Sequence, residues 1–363
     1  MMTRRQLGWM TAAVAAGGEA ALAKRYLAGS KFPSHLALLN ANENPDGPPA
    51  SSIEAMKQVL HLAGRYRDED MDALAAQIAQ REGLRPEQVM MGSGSSEILN
   101  TAVVAYTHAR QPVITCVPVF ELPVEIATAM GHPVVTVPLT KEFAFDVERL
   151  AAEAKKAGGG FVYLCNPNNP TGSTTPAQAI DWLVDNLPEN ALLVVDEAYI
   201  HFDEQIESAM KHVRAGRRVL VARTFSKIFG MAGLRVGFGA ASNEILAKML
   251  PFRDNSTSVV GVHAASAALE DTAILGKRRD QMRAQRTALT QWLESRQLRV
   301  IPSHANFVMV DIGRDVRTVI PEMLKRGVAV GRPFPPLHQM MRVTIGTEAE
   351  MTRFRTAFAQ VVS

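Results

Sequence analysis

The chain has 363 residues, 47% of them hydrophobic, enough to bury a large core and fill two domains. Charged residues make up 21% and the formal net charge is only +3, with no Lys/Arg run interleaved with aromatics, which argues against a nucleic-acid-binding role. The two cysteines, Cys116 and Cys165, lie in apolar runs without metal-ligand spacing and read as inert core thiols, and no stretch is long and apolar enough for an ordinary membrane span.

The first residues differ in kind from the rest. Thr3-Arg4-Arg5-Gln6-Leu7 precedes an Ala/Gly-rich, weakly apolar stretch from Trp9 to Ala23 that ends Ala21-Leu22-Ala23. This resembles a twin-arginine export signal with a small-residue cleavage site, from which a periplasmic location is expected. The other reading is an ordinary amphipathic or disordered leader on a cytoplasmic protein, which Glu19 inside the stretch favours. The loop Leu39 to Pro49, rich in Pro, Asn and Gly, cannot be regular structure. Helical periodicity follows at Ser52 to Leu62 and Met71 to Arg81. Strands are then expected near Val113–Val117, Val134–Val137, Phe161–Leu164, Leu192–Val195, Val219–Ala222 and Val236–Gly239. Helices are expected near Ser96–Tyr106, Leu122–Met130, Pro176–Asn186 and Glu204–Lys211. Such alternation predicts an α/β unit with a mainly parallel sheet covered on both faces. From about Phe252 the pattern changes to a long helical stretch, Val262 to Arg296, and short strands at Asn306–Asp311, Val328–Val330 and Met341–Thr344, a smaller α+β unit. The expected division is a leader over 1–29, a segment over 30–50 that joins the small domain, a large domain over 51–252 and a small one over 253–363.

Four segments carry chemistry. In RTFSKIFGMAGLRVGFG, the apolar run Arg217 to Ala222 ends in Thr224, Ser226 and Lys227, and Arg235 opens a second apolar run. Two strands joined by a Gly-rich turn would bring Thr224, Ser226 and Arg235 around one anion. Lys227 would lie beside them near a cationic group and partly desolvated, conditions that lower a lysine pKa and make it a Schiff-base nucleophile. An anion cup beside an activated lysine suits pyridoxal phosphate, which brings both a phosphate and an aldehyde. Gly92-Ser93-Gly94-Ser95-Ser96-Glu97 opens a helix and reads either as an anion site or as an ordinary helix cap. Asn166-Pro167-Asn168-Asn169-Pro170-Thr171-Gly172 is a rigid turn at a strand's carboxyl end, where α/β folds place ligands, or a loop chosen for turn chemistry alone. Asp196-Glu197-Ala198-Tyr199 ends a wholly apolar strand; an acid there is costly without a cationic partner such as a protonated pyridine nitrogen, unless it caps the next helix.

In order and spacing, NANENPDGP, GSGSSE, NPNNPTG, DEAY, RTFSKIFGMAGLRVGFG, SHANFVMVD and MRVTIGT resemble the fold-type-I pyridoxal-phosphate enzymes, specifically the class I/II aminotransferases and among them the histidinol-phosphate aminotransferases. The resemblance covers nearly the whole chain after the leader. It implies a homodimeric aminotransferase that moves an amino group between an amino acid or amine and a 2-oxo acid, using pyridoxal 5'-phosphate and no metal. It implies Lys227 as the Schiff-base lysine and Arg235, Thr224, Ser226 and the amides of Gly94, Ser95 and Ser96 as the phosphate cup. Asp196 matches the pyridine-nitrogen partner, Asn169 and Tyr199 the donors to the 3-oxygen, and Phe120 the ring stacked on the pyridine. Tyr66 matches the tyrosine that reaches the partner subunit's phosphate. Arg342 matches the clamp on the substrate carboxylate, with Asn42, Asn169, Asn306 and Arg332 around the substrate. Of the histidines, His263, His304 and His338 could line the pocket, although surface or core positions are commoner.

Substrate choice is where the sequence departs from that family. Asp46 stands where the histidinol-phosphate enzymes usually carry a tyrosine near the substrate phosphate, and a carboxylate repels a phosphate. Gly331 displaces the usual arginine of the Gly-Val-x-Val-Arg-Pro run by one residue, to Arg332, and Arg67 stands where proline is usual. Another amino acid or amine is therefore the expected donor. The alternatives are a histidinol-phosphate aminotransferase proper, a decarboxylase of the same fold acting on a phosphorylated amino acid, a transcription regulator built on this fold, and a cofactor-binding protein without turnover. The regulator needs a DNA-binding module ahead of this fold, and the roughly forty residues before Asn42 are too few for a typical winged-helix unit.

Overall fold

A computed structural model describes residues 36–253 and 257–362; the leader expected over residues 1–29 lies outside the described residues. In chain order the elements begin with β1 (Ala37–Leu39), α1 (Ala50–Val59), α2 (Asp68–Glu82), β2 (Val89–Gly92), α3 (Ser95–Tyr106), β3 (Val113–Val117), α4 (Leu122–Ala129) and β4 (Val134–Pro138). They continue with α5 (Val147–Ala157), β5 (Gly160–Cys165), α6 (Ala177–Asn186), β6 (Ala191–Asp196), α7 (Met210–Arg214), β7 (Val219–Thr224), β8 (Gly237–Ala240) and α8 (Asn243–Met249). The C-terminal part holds α9 (Val259–Glu270), α10 (Ile274–Glu294), β9 (Val300–Ile301), β10 (Phe307–Asp311), α11 (Val316–Lys325), β11 (Val328–Val330), β12 (Met340–Thr344) and α12 (Glu348–Val361).

Seven strands form one sheet in the order β2-β8-β7-β6-β5-β3-β4. β4, β3, β5, β6 and β7 are mutually parallel, while β8 runs antiparallel to both its neighbours, β7 and β2. Every residue of β5 (GFVYLC) and β6 (ALLVVD) is buried, as expected of central parallel strands covered on both faces. Because β5, β6 and β7 point the same way, Cys165, Asp196 and Thr224 end at one edge of the sheet. A second sheet, β12-β10-β9, is antiparallel, and β1 pairs in parallel with β11, tying the N-terminal segment to the C-terminal part.

Two helical expectations fail. Glu204–Lys211 is not a helix; only α7 forms, one turn later. The buried Glu197 carboxylate accepts hydrogen bonds from Ser208 Oγ (2.8 and 3.0 Å) and the Ala209 amide (2.7 Å), which holds that segment as a loop. Val262–Arg296 is not continuous either: it divides into α9 and α10 at Asp271 to Ala273, and α9 packs against α1 and α2. Sequence reading also missed β1, β2, β9, α5, α8, α11 and α12. The three strands are two to four residues long, too short for an alternation to register.

Candidate active site

The site starts where β7 ends. Thr224 Oγ1 accepts the Ser226 amide at 3.1 Å and donates to Ser226 Oγ at 2.9 Å. The chain then turns through Gly230 to Arg235, which sits at φ +56° in the left-handed region before β8 runs back beside β7. Its guanidinium donates to Ala232 O (3.0 Å), Ser93 O (3.1 Å) and Ser226 Oγ (3.4 Å), bridging the turn to the start of α3. Gly94, the residue before α3, has φ +77° and ψ 169°, and a Cβ there would lie 2.5 Å from Arg235 Nη2. A Cβ at Gly237 of β8 would run into the backbone of Gly94 and Ser95. Two glycines on different elements thus let the α3 N-terminus close against Arg235. Ser95 and Ser96 open the helix, and first-turn amides have no intrahelical acceptor, so an anion beside them meets free donors. The Gly94 amide is different: it donates to Gly92 O at 2.8 Å and is already used, so Gly94 serves the cup by lacking a side chain.

Lys227 Nζ donates to Asn42 O (3.1 Å) and Ala41 O (3.4 Å) and lies 5.5 Å from the Tyr199 ring centre. Burial first, then the positive charge of Arg342, pulls its pKa down to about 8. Asp196, at the end of β6, is 2% exposed and accepts hydrogen bonds from Tyr163 Oη (3.1 Å) and the Ala198 amide (3.1 Å); burial pushes its carboxyl up to about 6. Tyr199 Oη accepts from Asn42 Nδ2 at 3.0 Å, and burial raises the phenol. Arg342, on β12, donates from Nη1 to Asn169 Oδ1 at 2.6 Å and from Nη2 to Asn40 O at 2.5 Å, while its buried Nε has no partner. Its guanidinium lies 4.7 Å from the Phe334 ring centre and 5.5 Å from that of Phe307.

One cavity of about 310 Å³ unites these groups. Asn42, Ser95, Ser96, Phe120, Asn169, Asp196, Tyr199, Thr224, Ser226, Lys227, Arg235, Arg332 and Arg342 all line it, each singled out from sequence. Other residues singled out from sequence stand elsewhere. Asn306 lies behind the N-terminal loop and donates to Asn42 O and Glu43 O, both at 3.1 Å, so it holds the loop rather than lining the cavity. Tyr66 is 94% exposed and away from the cavity. Asp46 is also exposed and is not among the lining residues, which come from Ala41, Asn42 and Glu43 of the same loop. Neither His263, paired with Asp70 at 3.0 Å, nor His304, paired with Asp203 at 2.7 Å, lines the cavity. Sequence reading missed Glu43, Cys165, Ala198 and Ala232 on the wall; Cys165 is buried, and burial raises its thiol well above the usual range, so it stays protonated. Glu121, whose carboxylate pairs with Arg332, was missed as well, since nothing local marks it. Behind the site, Arg223 bonds Glu197 (2.9 Å), Glu82 (2.7 Å) and Ser208 (2.8 Å), cross-linking the ends of β6 and β7.

The chain as a whole has known relatives. A curated histidinol-phosphate aminotransferase of Moorella thermoacetica is 35% identical over 331 residues, covering 90% of this chain and 85% of that protein. Histidinol-phosphate aminotransferase 2 of Pseudomonas fluorescens is 34% identical over 342 residues, covering 91% and 90%. The crystal structure of histidinol-phosphate aminotransferase from Sinorhizobium meliloti in complex with pyridoxal-5'-phosphate superposes with a TM-score of 0.86 at 29% identity, covering 95% of this chain and 94% of that one. Aspartate aminotransferase from Thermus thermophilus with maleate, at 24% identity and TM-score 0.79, shares the fold over 96% of both chains. The family model described as aminotransferase class I and II matches residues 34–358, and the chain belongs to that family.

Proposed function

We propose that this aminotransferase holds pyridoxal 5'-phosphate through Lys227 and moves an amino group between a 2-oxo acid and an amino acid or amine other than histidinol phosphate. The observation that carries the reading is a single cavity with Lys227 between an anion cup and a buried carboxylate, and Arg342 on the same wall. The chain's groups fit the cofactor. Arg235, Thr224, Ser226 and the first turn of α3 would hold its phosphate, Asp196 its ring nitrogen, and Phe120 a ring face. Asn169 spends Oδ1 on Arg342, which leaves Nδ2 to donate, and Tyr199 accepts from Asn42, which leaves its own proton for the 3-oxygen. When bound, the cofactor supplies an electrophilic aldehyde and a ring that takes up an electron pair.

The protein's own part is positional and acid–base. A lysine titrating near 8 offers a neutral amine at pH values where an ordinary lysine is charged, so Lys227 Nζ can act as nucleophile and then carry the substrate's α-proton. Asp196, buried and ionised once it faces a cation, favours a protonated ring nitrogen. Arg342 would take the substrate α-carboxylate on its planar fork, a contact lysine could not reproduce. Lys227→Ala should abolish both the visible absorbance of lysine-linked cofactor and turnover; transamination at the wild-type rate would sink the assignment.

The curated relatives above are histidinol-phosphate aminotransferases, which makes histidinol phosphate the competing donor. Asp46, being off the cavity wall, gives no geometric support to either side. Arg332 favours a different donor, because its guanidinium is already paired with Glu121. A donor screen following loss of the lysine-linked cofactor spectrum decides this: histidinol phosphate as the best donor would overturn the substrate reading. We further read the assembly as a homodimer with Tyr66 reaching the partner's site, a reading supported by the exposure of that ring and checked by sedimentation of the wild type. Residues 1–29 are read as an export signal; a full-length protein found only in cytoplasm on fractionation would overturn that.

A further inference from the structure

We propose that Glu121 is a specificity-determining residue: by pairing with Arg332 on the cavity wall, it withholds that guanidinium from anionic side chains and selects amino donors whose side chain is neutral. The inference rests on the substrate reading above and deepens it.

Glu121 immediately precedes α4, in the large-sheet part of the chain, and Arg332 follows β11, so the ion pair joins segments far apart in sequence beside the wall that Phe120 and Arg332 line. Both side chains keep partial access to solvent, 33% for Glu121 and 42% for Arg332, and so can exchange partners. Arg332 also lies 4.3 Å from the centre of the Phe334 ring, the ring that Arg342 approaches at 4.7 Å. The two guanidiniums therefore share one aromatic platform. Once Arg342 holds an α-carboxylate, Arg332 is the wall cation left for the donor's side chain, Lys227 and Arg235 being committed to the cofactor.

Gly331 explains why Arg332 faces Glu121. A Cβ at residue 331 would lie 3.0 Å from Arg342 Cβ and 3.2 Å from its Nε, so a side chain there would run along Arg342. The Gly331 amide donates to Arg342 O at 2.9 Å, which seats residue 331 against β12. The arginine therefore stands one residue later, at 332, where it pairs with Glu121.

Charge counting then separates the donors. A neutral side chain leaves two compensated pairs, Arg342 with the α-carboxylate and Arg332 with Glu121. An anionic side chain must displace Glu121 or lie unpaired beside it, and a wrong partner is rejected by such repulsion as much as by a missing contact.

The test uses the full chain loaded with cofactor and compares wild type, Glu121→Gln, Arg332→Gln and the double variant. Donors are leucine and phenylalanine against glutamate, with histidinol phosphate assayed separately because its phosphate takes the place of the α-carboxylate and would fall to Arg342. Binding of the unreactive acids maleate and isovalerate is read separately from the bound-cofactor spectrum. For a partly exposed pair, Glu121→Gln should raise anionic over neutral kcat/KM about two- to fivefold, move the maleate-to-isovalerate affinity ratio the same way, and lose both gains when Arg332→Gln is added. Unchanged ratios in Glu121→Gln, or gains that survive Arg332→Gln, would overturn the inference. Histidinol phosphate as the best wild-type donor would instead overturn the substrate reading, whatever Glu121→Gln does to the ratios.

Discussion

Gly94→Ala tests the proposed anion cup without removing any polar group. Gly94 occupies φ +77° and ψ 169°, a region open essentially to glycine alone, and forcing another residue into it costs about 1–3 kcal/mol. That strain is present with or without cofactor and should appear as lost stability. The second effect is local: the new Cβ would stand 2.5 Å from Arg235 Nη2, the atom that donates to Ser93 O. A displaced guanidinium also misses the charge-assisted hydrogen bond it would give the phosphate, about 1.5–3 kcal/mol, which lowers phosphate affinity about ten- to hundredfold. Differential scanning fluorimetry of the apoprotein reads the first effect, and titration with pyridoxal phosphate followed by absorbance reads the second. Gly64→Ala is the control, since a Cβ there meets nothing within 4 Å and should change neither measurement. A Gly94→Ala protein with wild-type melting temperature and cofactor affinity within twofold of wild type would refute the reasoning.

Two further outcomes follow from buried charge. Cofactor capture by the apoprotein should rise with pH through a midpoint near 8, because the lowered Lys227 pKa makes the amine neutral above that pH rather than above the usual lysine value; stopped-flow absorbance showing a midpoint of 10 or higher would contradict this. Arg223→Ala would strand the 1%-exposed carboxylate of Glu197 and leave Glu82 unpaired, at about 3–5 kcal/mol in urea unfolding; a loss below about 1 kcal/mol would mean that the pair is not what joins β6 to β7.

The central strands were legible because parallel strands buried on both faces must be written as unbroken apolar runs, and LLVV and VLVA are such runs. The cup was legible for a related reason. Thr224, Asp196 and Asn169 each interrupt or follow an apolar run with a polar group that needs a partner, and their strands end on the same side. Helix α12 was legible too, although missed, because Met351, Phe354 and Phe358 stand at i, i+3 and i+7 on one face behind a capping box of Thr347 and Glu350. The false helix at Glu204–Lys211 came from ignoring what a buried Glu197 would demand of its neighbours.

Sequence alone located the groups around Lys227, because the lysine, the hydroxyls of Thr224 and Ser226 and the acid Asp196 each lie within a few residues of a strand end. Tertiary structure decided which side chains share the wall. It put Asp46 outside, turned Asn306 to brace the loop, and set Glu121 against Arg332. Those facts depend on packing between segments hundreds of residues apart, such as the seating of β12 and the N-terminal loop over the ends of β5, β6 and β7. No local pattern records a partner that arrives only when the chain has folded.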